Sequence, residues 1–451
     1  MHPSAVISPA AGRETVLPPS PPAPWPWYGR LAFRFGFLFL VVYIAPWLWL
    51  TEIPLPDRFT DVISERYNGW LEVPAGWVNA YVFGNPTLLE TEMTGSGDRL
   101  YDWALYVFFL LFAAAGALAW TVLDRRRRAY DALYSWLRVL VRYNLALFMA
   151  VYGFLKIFPL QMPEPLLSQL GTPLGEFTPM RLAWLFIGQS RPYEFFSGFV
   201  EVLGGALLLF QRTTTLGACL LLGVLTNVFL LNVAYDIPVK LFSGTLLLMT
   251  LLLVLHDGRR LLAFFVLNRP ATPVRVVQYS TSRRGQLLRT GLKLAFFGCF
   301  FVAVCYDDWQ TYAARSSYRD KDGIFYGVYQ VQEFRRNNQP AAPFDTLTWQ
   351  NVIFEKRNLG SIGTGSAEGP ALWYGRDYFS YEPDTLRRQL AIDFHSEDTR
   401  NFVVQYSCPD SLQLLLRGKS GPDSLYVRLR KSPRSFPLRA HGFHWVSQTP
   451  W

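Results

Sequence analysis

Two ionisable residues stand where charge is expensive. Lys156 lies in YGFLKIFPLQMPEP (152–165) and Glu201 in EFFSGFVEVLGGALLLF (194–210), both within apolar runs that read as membrane-buried. A charge at that depth generally faces a partner or a polar cavity and carries a role. Tyr152 is four residues before Lys156 and therefore on the same helical face. Arg142 and Asn144 mark the opposite end of that helix. Glu201 shares a face with Ser197, Gly198, Gly204 and Gly205, small residues that let another helix approach closely. Lys156 is about one turn, and Glu201 about two turns, from the same side of the membrane, so their depths differ by only a few ångströms. A Lys156–Glu201 pair is the expectation, and pairing lowers the cost of both charges. Asn227, Asn232, Asp236 and Lys240 gather in the same outer half, with Gln161, Arg181 and Tyr193 at its mouth. Two readings stay open. The polar groups fix helix register, or they line a small pocket for a lipid-soluble ligand such as a quinone. Lys156, Tyr152 and Asn227 offer donors to quinone carbonyls, and a glutamate can exchange protons as a quinone is reduced.

The elements that must position these residues are apolar helices. Of 451 residues 51% are hydrophobic, 16% aromatic and only 17% charged, the composition of a membrane protein with a soluble part. The net charge of +9 does not indicate nucleic acid, because the arginines sit between apolar segments. Seven segments approach the length of about 20 residues needed to span a bilayer: 31–51, 104–123, 139–160, 194–211, 215–235, 238–256 and 290–306. The loop with DRRRR (124–128) and the Arg-rich loop 257–293 are basic and predict the cytoplasmic side. The acidic loop 52–103 predicts the outside. Seven spans then put the N-terminus inside and the C-terminus outside. The Pro-rich residues 1–28 lack the features of a signal peptide and read as a disordered cytoplasmic tail before an uncleaved span. Two N-terminal spans with an external loop occupy 29–137, a four-helix bundle 138–260, and a cytoplasmic loop with the seventh span 261–306.

From residue 307 to 451 the pattern changes to short alternating runs: 324–334, 347–356, 389–395, 401–407, 411–418, 424–430 and 442–448, separated by turn residues such as NNQP, GTGS, CPD and KSGPDS. That spacing predicts an external antiparallel barrel or sandwich. His441 and His444 (HGFH), His395 and Cys408 are of metal-binding type, but imidazoles at strand ends are the favoured reading and no metal is expected. Cys219, Cys299, Cys305 and Cys408 form no CxxC pair, which argues against thiol redox chemistry within the chain. His256 is the sole histidine in a span, too few for a transmembrane haem.

The same residues carry a family likeness. Arg142 opening a helix, Gly153 and Lys156 near its end, then Glu201 followed by Gly204 and Gly205 and the turn QRTTTLG (211–217) resemble the motif of the DoxX/DoxD-like membrane proteins over about residues 138 to 260. The resemblance implies a four-helix transmembrane bundle. Some members are subunits of membrane oxidoreductases, including thiosulfate:quinone oxidoreductase. It implies a DoxX-like bacterial inner-membrane subunit supporting quinone-linked oxidoreduction, with no covalent cofactor and with quinone as the candidate ligand. Lys156 and Glu201 are then the central pair, with Tyr152, Arg142, Asn227, Asn232, Asp236 and Lys240 around them. The layout of helices plus an outer β domain is also similar to the vitamin K-dependent carboxylase-like proteins, an analogy that makes Lys156 a base. The alternative from another class is a membrane anchor whose β domain binds a redox or envelope partner. A transporter is disfavoured, since no inverted repeat of spans is visible.

Overall fold

The computed structural model describes residues 24–45, 57–87, 89, 97–271, 273, 282–319, 323–340, 348–364, 376–395, 401–433, 435–440, 442 and 444–446. They form nine longer helices and a sheet: α1 (Trp27–Ile44), α2 (Asp57–Tyr81), α3 (Leu100–Leu123), α4 (Asp131–Ile157), α5 (Pro179–Gly188), α6 (Arg191–Leu208), α7 (Thr214–Ala234), α8 (Lys240–His256), α9 (Arg283–Arg319) and strands β1–β9. They divide into two compact units. One holds α1, α2, α3 and α4 as far as Val141. The other holds α4 from Arg142, α5 to α9, the sheet and a short segment ending at Arg99.

Among the described residues five helices are long and apolar enough to cross a membrane: α1, α3, α4, α7 and α9. A sixth arises if α8 and the bent continuation Gly258–Val266 count as one span. This is a protein of the lipid bilayer. α6 forms where a span is expected, but Arg191, Glu194 and Glu201 leave it less apolar than the others. The stretch 52–103, expected as an external loop, contains α2, a helix of 25 residues with one face packed on α3. Ala75 and Val78, three residues apart, supply that face despite the charges elsewhere along the helix.

The starts and ends of the helices follow from local chemistry. Thr178 caps α5, its hydroxyl accepting from the Arg181 N–H, with Pro179 in the first turn. α8 is capped from a distance. The Asp98 carboxylate accepts from the Lys240 N–H at 2.6 Å and the Leu241 N–H at 2.9 Å, satisfying two of the orphan donors at that helix end. α9 runs to Arg319 instead of stopping near 306, and β1 opens only at Gly327. The helix persists because neither proline nor glycine occurs between Gly298 and Gly323.

The sheet is a closed barrel. β1 (Gly327–Arg336) pairs with β3 (Asn351–Phe354), and neighbours then follow in chain order through β4 (Leu359–Gly363), β5 (Arg376–Asp384), β6 (Gln389–Phe394), β7 (Phe402–Ser407), β8 (Gln413–Ser420) and β9 (Asp423–Lys431). β9 returns to pair with β1, so eight antiparallel strands close on themselves, and the two-residue β2 (Gln339–Pro340) extends the end of β1. Closure leaves the barrel with no free edge. Barrel, and not sandwich, is therefore the outcome of the expected all-β domain. Two turns fix its register. Asn337 and Asn338 both have positive φ between paired Arg336 and Gln339, as a type I′ turn requires. Gly421, with φ 60°, precedes Pro422 between Ser420 and Asp423, the position where a type II′ turn demands glycine. β4 and β5 are absent from the expected strands. Their pattern is disguised by Gly360, Gly363 and Arg376 on buried positions. The expected strand 442–448 does not form over its described residues, where Trp445 and Val446 stand exposed.

The barrel interior is filled by side chains. Phe334, Phe354, Phe379, Tyr381, Leu390, Ile392, Leu414, Leu416, Val427 and Leu429 belong to one buried cluster. Alternation puts them inside, as in β6, where every second residue is buried. Burying each large apolar side chain contributes roughly 1.5–3 kcal/mol.

Candidate functional site

Lys156 and Glu201 meet. α4 carries the lysine in its last turn, and α6 carries the glutamate at its centre. The ammonium donates to Glu201 Oε1 at 2.6 Å and to Oε2 at 2.7 Å. Lys156 is 8% exposed and Glu201 1%. Glycine makes this meeting possible. A Cβ at Gly153 would stand 2.8 Å from the Gly198 carbonyl oxygen, and one at Gly198 would stand 2.8 Å from the Lys156 Cβ. The two backbones thus touch one turn from the ion pair, the close approach small residues give membrane helices. At 2.6–2.7 Å, and both to one carboxylate, these are charge-assisted bonds of the strong kind.

The other candidates are placed differently. Arg142 caps α6: its Nε and Nη2 both donate to the Leu208 carbonyl oxygen, at 3.0 and 2.7 Å. Lys293 of α9 donates to the next carbonyl, Leu209, at 3.0 Å. Two cations therefore sit on the negative end of the helix dipole of α6, and Arg142 is one of them. Asn232 donates to the Ser243 hydroxyl at 2.9 Å, a buried clip between α7 and α8. Asp236 accepts from Lys240 Nζ at 2.7 Å, one turn along the chain at an exposed end. Asn227 is exposed, on a face of α7 other than the one that carries buried Leu221, Leu225 and Asn232. Tyr152 has its ring 5.7 Å from that of Phe242, on α8. Of the mouth residues, Gln161 has a buried side-chain oxygen with no partner among the described residues, Arg181 is half-buried, and Tyr193 lies outward against Phe186. The structure thus brings together Lys156 with Glu201 and, separately, Asp236 with Lys240.

Sequence reasoning missed a second group of polar residues, where the barrel meets the helices. Glu355, in the tight β3–β4 turn, accepts from the Ser168 N–H at 2.7 Å. Gln189 Nε2 donates to the Leu438 carbonyl at 2.6 Å. Arg439 donates to the Pro165 carbonyl and, at 2.9 Å, to the Tyr326 hydroxyl. Arg357 donates to the Arg315 carbonyl near the end of α9 at 2.9 Å. A groove of about 400 Å³ runs along this junction, lined by Leu167, Tyr326, Lys431, Phe436 and Arg439 among others. Deeper in the barrel Arg376 is buried, donating to the Ser361 hydroxyl at 2.8 Å and the Ser361 carbonyl at 3.2 Å. Burial pulls its guanidinium down to about 10, against the fields of Tyr378, Glu355 and Glu176. No single motif marks these residues, whose partners lie far away in the chain.

Among the described residues no group of three or more His, Cys, Asp or Glu could hold a metal ion. His441 lies outside the described residues, while His395, His444 and Cys408 are exposed.

Compared with known proteins, the chain matches no family model and no solved structure. Over 116 residues it is 37% identical to a Bacillus subtilis (strain 168) protein described as "Uncharacterized protein YwoB", an overlap of 26% of this chain and 73% of that protein. The chain belongs to the YwoB family. The shared stretch is about a quarter of the chain. The description of YwoB assigns it no activity, so any activity must be argued from the geometry above.

Proposed function

We propose that the helices of this protein act as a membrane anchor and scaffold, and that the barrel is the part presented to a partner in the cell envelope. The observation that carries this reading is the mutual satisfaction of the intramembrane polar groups. Lys156 is taken by Glu201, Arg142 by Leu208, and Asn232 by Ser243. Donors fixed in this way hold helices in register and are not left to greet a quinone. The bonds from Glu355, Gln189, Arg439 and Arg357 suit a barrel held rigidly on its support.

The test is Lys156→Met with Glu201→Gln, purified in detergent beside wild type. The expected result is a folded double variant with the same co-purifying lipids and quinone. A folded double variant that loses a quinone held by wild type overturns the anchor reading.

One observation favours a second reading. Lys156 and Glu201 form an isolated ion pair on a 2.6 Å hydrogen bond at membrane depth. A carboxylate and an amine are groups of the type that exchange protons when a quinone is reduced. That suits the quinone-linked, DoxX-like role, with Glu201 taking up or giving the proton and Lys156 answering it. The bacterial inner membrane, with the barrel outside, is the setting proposed for either reading.

A further inference from the structure

α2 has two apolar faces, and protein covers one of them. On the covered side Ala75 and Val78, fully buried, pack against Tyr101 and Ala104 in the first turns of α3. On the other side Trp70, Val73, Trp77 and Tyr81 follow at helical spacing, 76%, 75%, 51% and 77% exposed. Arg66, one turn before Trp70, is exposed on the same stripe, while Asn68 and Glu72 lie on a different side of the helix. Apolar stripes of this size are seldom left to water.

The depth of the stripe follows from what α2 packs on. α3 is a helix of 24 residues able to cross a membrane. α1 runs antiparallel beside it: Arg34 donates to Thr121 near the end of α3 at 2.7 Å, and Tyr43 stacks edge-on with Tyr106 near its start at 6.1 Å. α2 follows α1 in the chain and rests on the start of α3, so it lies at the end of a span and not at its middle. Along α3 the surface beyond that point is apolar and uncovered, with Leu111, Phe112, Leu118 and Val122 exposed. The stripe on α2 continues this lipid-facing surface at its margin. Its chemistry fits that depth. Tryptophan and tyrosine concentrate at the membrane–water boundary, where the ring is in the acyl region and the N–H or O–H meets water and headgroups. A guanidinium at the same level meets lipid phosphate.

We propose that α2 is an interfacial helix whose Trp70, Val73, Trp77 and Tyr81 insert into the headgroup–acyl boundary of the bilayer on the side where α3 begins. α2 then lies in the plane of that leaflet, the geometry of monotopic amphipathic helices. It fixes the depth of the α1–α3 pair as a float fixes a line, since moving α3 along the membrane normal would lift the aromatic stripe into water or push Glu72 into hydrocarbon.

The experiment uses the full chain in vesicles of phosphatidylethanolamine and phosphatidylglycerol, with tryptophan emission quenched by lipids brominated high or low on the acyl chain. Trp70→Phe/Trp77→Phe is compared with wild type, so the difference spectrum reports those two rings. Val73→Trp adds a reporter on the stripe, and Asn68→Trp adds one on a different face. The expected result is that the difference spectrum and the Val73→Trp emission are quenched by the shallow bromines more than by the deep ones, while the Asn68→Trp emission is not. No quenching of the stripe reporters by either lipid overturns the proposal, and so does equal quenching of positions 68 and 73. A stripe covered by a second copy or by a partner protein would appear as that first failure. The added reporters leave both wild-type tryptophans in place, so a poorly folded double variant does not decide the matter.

Discussion

Two buried cations invite comparison, Lys156 between helices α4 and α6 and Arg376 inside the barrel. Lys156 is neutralised, with two hydrogen bonds to one carboxylate. Among the described residues Arg376 donates to neutral oxygens of Ser361, and Glu355 and Glu176 act on it through space. The surroundings explain the contrast. In hydrocarbon a lone charge has no water to fall back on, so a counter-charge within bonding distance is the workable answer. A guanidinium near the end of a small barrel is more weakly hydrated and spreads its charge, so dipoles and distant carboxylates suffice. The bundle therefore depends on a pair, and the barrel on a neighbourhood.

The sharpest way to break this comparison is to split the pair. Glu201→Gln should cost about 3–5 kcal/mol of stability, because it leaves the lysine buried without its counter-charge. Adding Lys156→Met should return most of that loss, as read by thermal unfolding in detergent. A double variant as unstable as the single one would mean that the glutamate serves some further group. Next in size is the glycine contact. Gly153→Ala drives a methyl against the Gly198 carbonyl and Val202, and overpacking of this kind costs about 1–3 kcal/mol. Arg376→Met should cost less than splitting the pair, about 1–2 kcal/mol, since it removes bonds to neutral groups and leaves no charge stranded. A loss as large as that of Glu201→Gln would show that the barrel too relies on a direct counter-ion. Tyr381→Phe should be neutral or raise the barrel's stability by about 1 kcal/mol, because its buried hydroxyl has no hydrogen-bond partner among the described residues.

Alkaline pH gives a further comparison within the barrel. Burial pushes the Tyr329 hydroxyl from 10.0 up to about 12, with the Cys408 thiolate adding to it, and burial also pushes Tyr381 upward, with Tyr329 and Glu355 adding to it. Both groups stay protonated in the folded barrel while ionising in the unfolded chain. Their contribution is complete below pH 10 and declines as pH rises through 12. Arg376, brought down to about 10, acts in the opposite sense and softens the decline. A near-ultraviolet melt at pH 9, 10 and 11 should therefore show falling stability, and Tyr381→Phe should reduce the fall.

Much of this architecture is legible in the residues themselves. Helix-length apolar runs locate α1, α3, α4, α6, α7 and α8 to within a few positions at most ends. Depth counting along two helices is enough to pair Lys156 with Glu201, because helical rise is uniform. Reading by composition misplaces α2, whose charges mask a stripe recurring at three and four residues. It also misses β4 and β5, where glycine and arginine occupy inward positions. The wider candidate site fails for a different reason. Residue type shows that Arg142, Asn227 and Asn232 can donate hydrogen bonds, but the rotation of each helix about its own axis decides what they reach. That rotation is set by packing partners elsewhere in the chain.

α9 adds a mechanical consequence. It is an unbroken helix of 37 residues, about 55 Å long, against a hydrocarbon thickness of about 30 Å. A rod that long exceeds what the bilayer needs, and near its far end Arg315 is bonded to Arg357 of the barrel. The excess behaves as a mast of set length and set angle. One residue inserted in its upper part would raise the barrel by about 1.5 Å and swing it by about 100°. The heading of the barrel, as much as its height, is written into the number of residues in that helix.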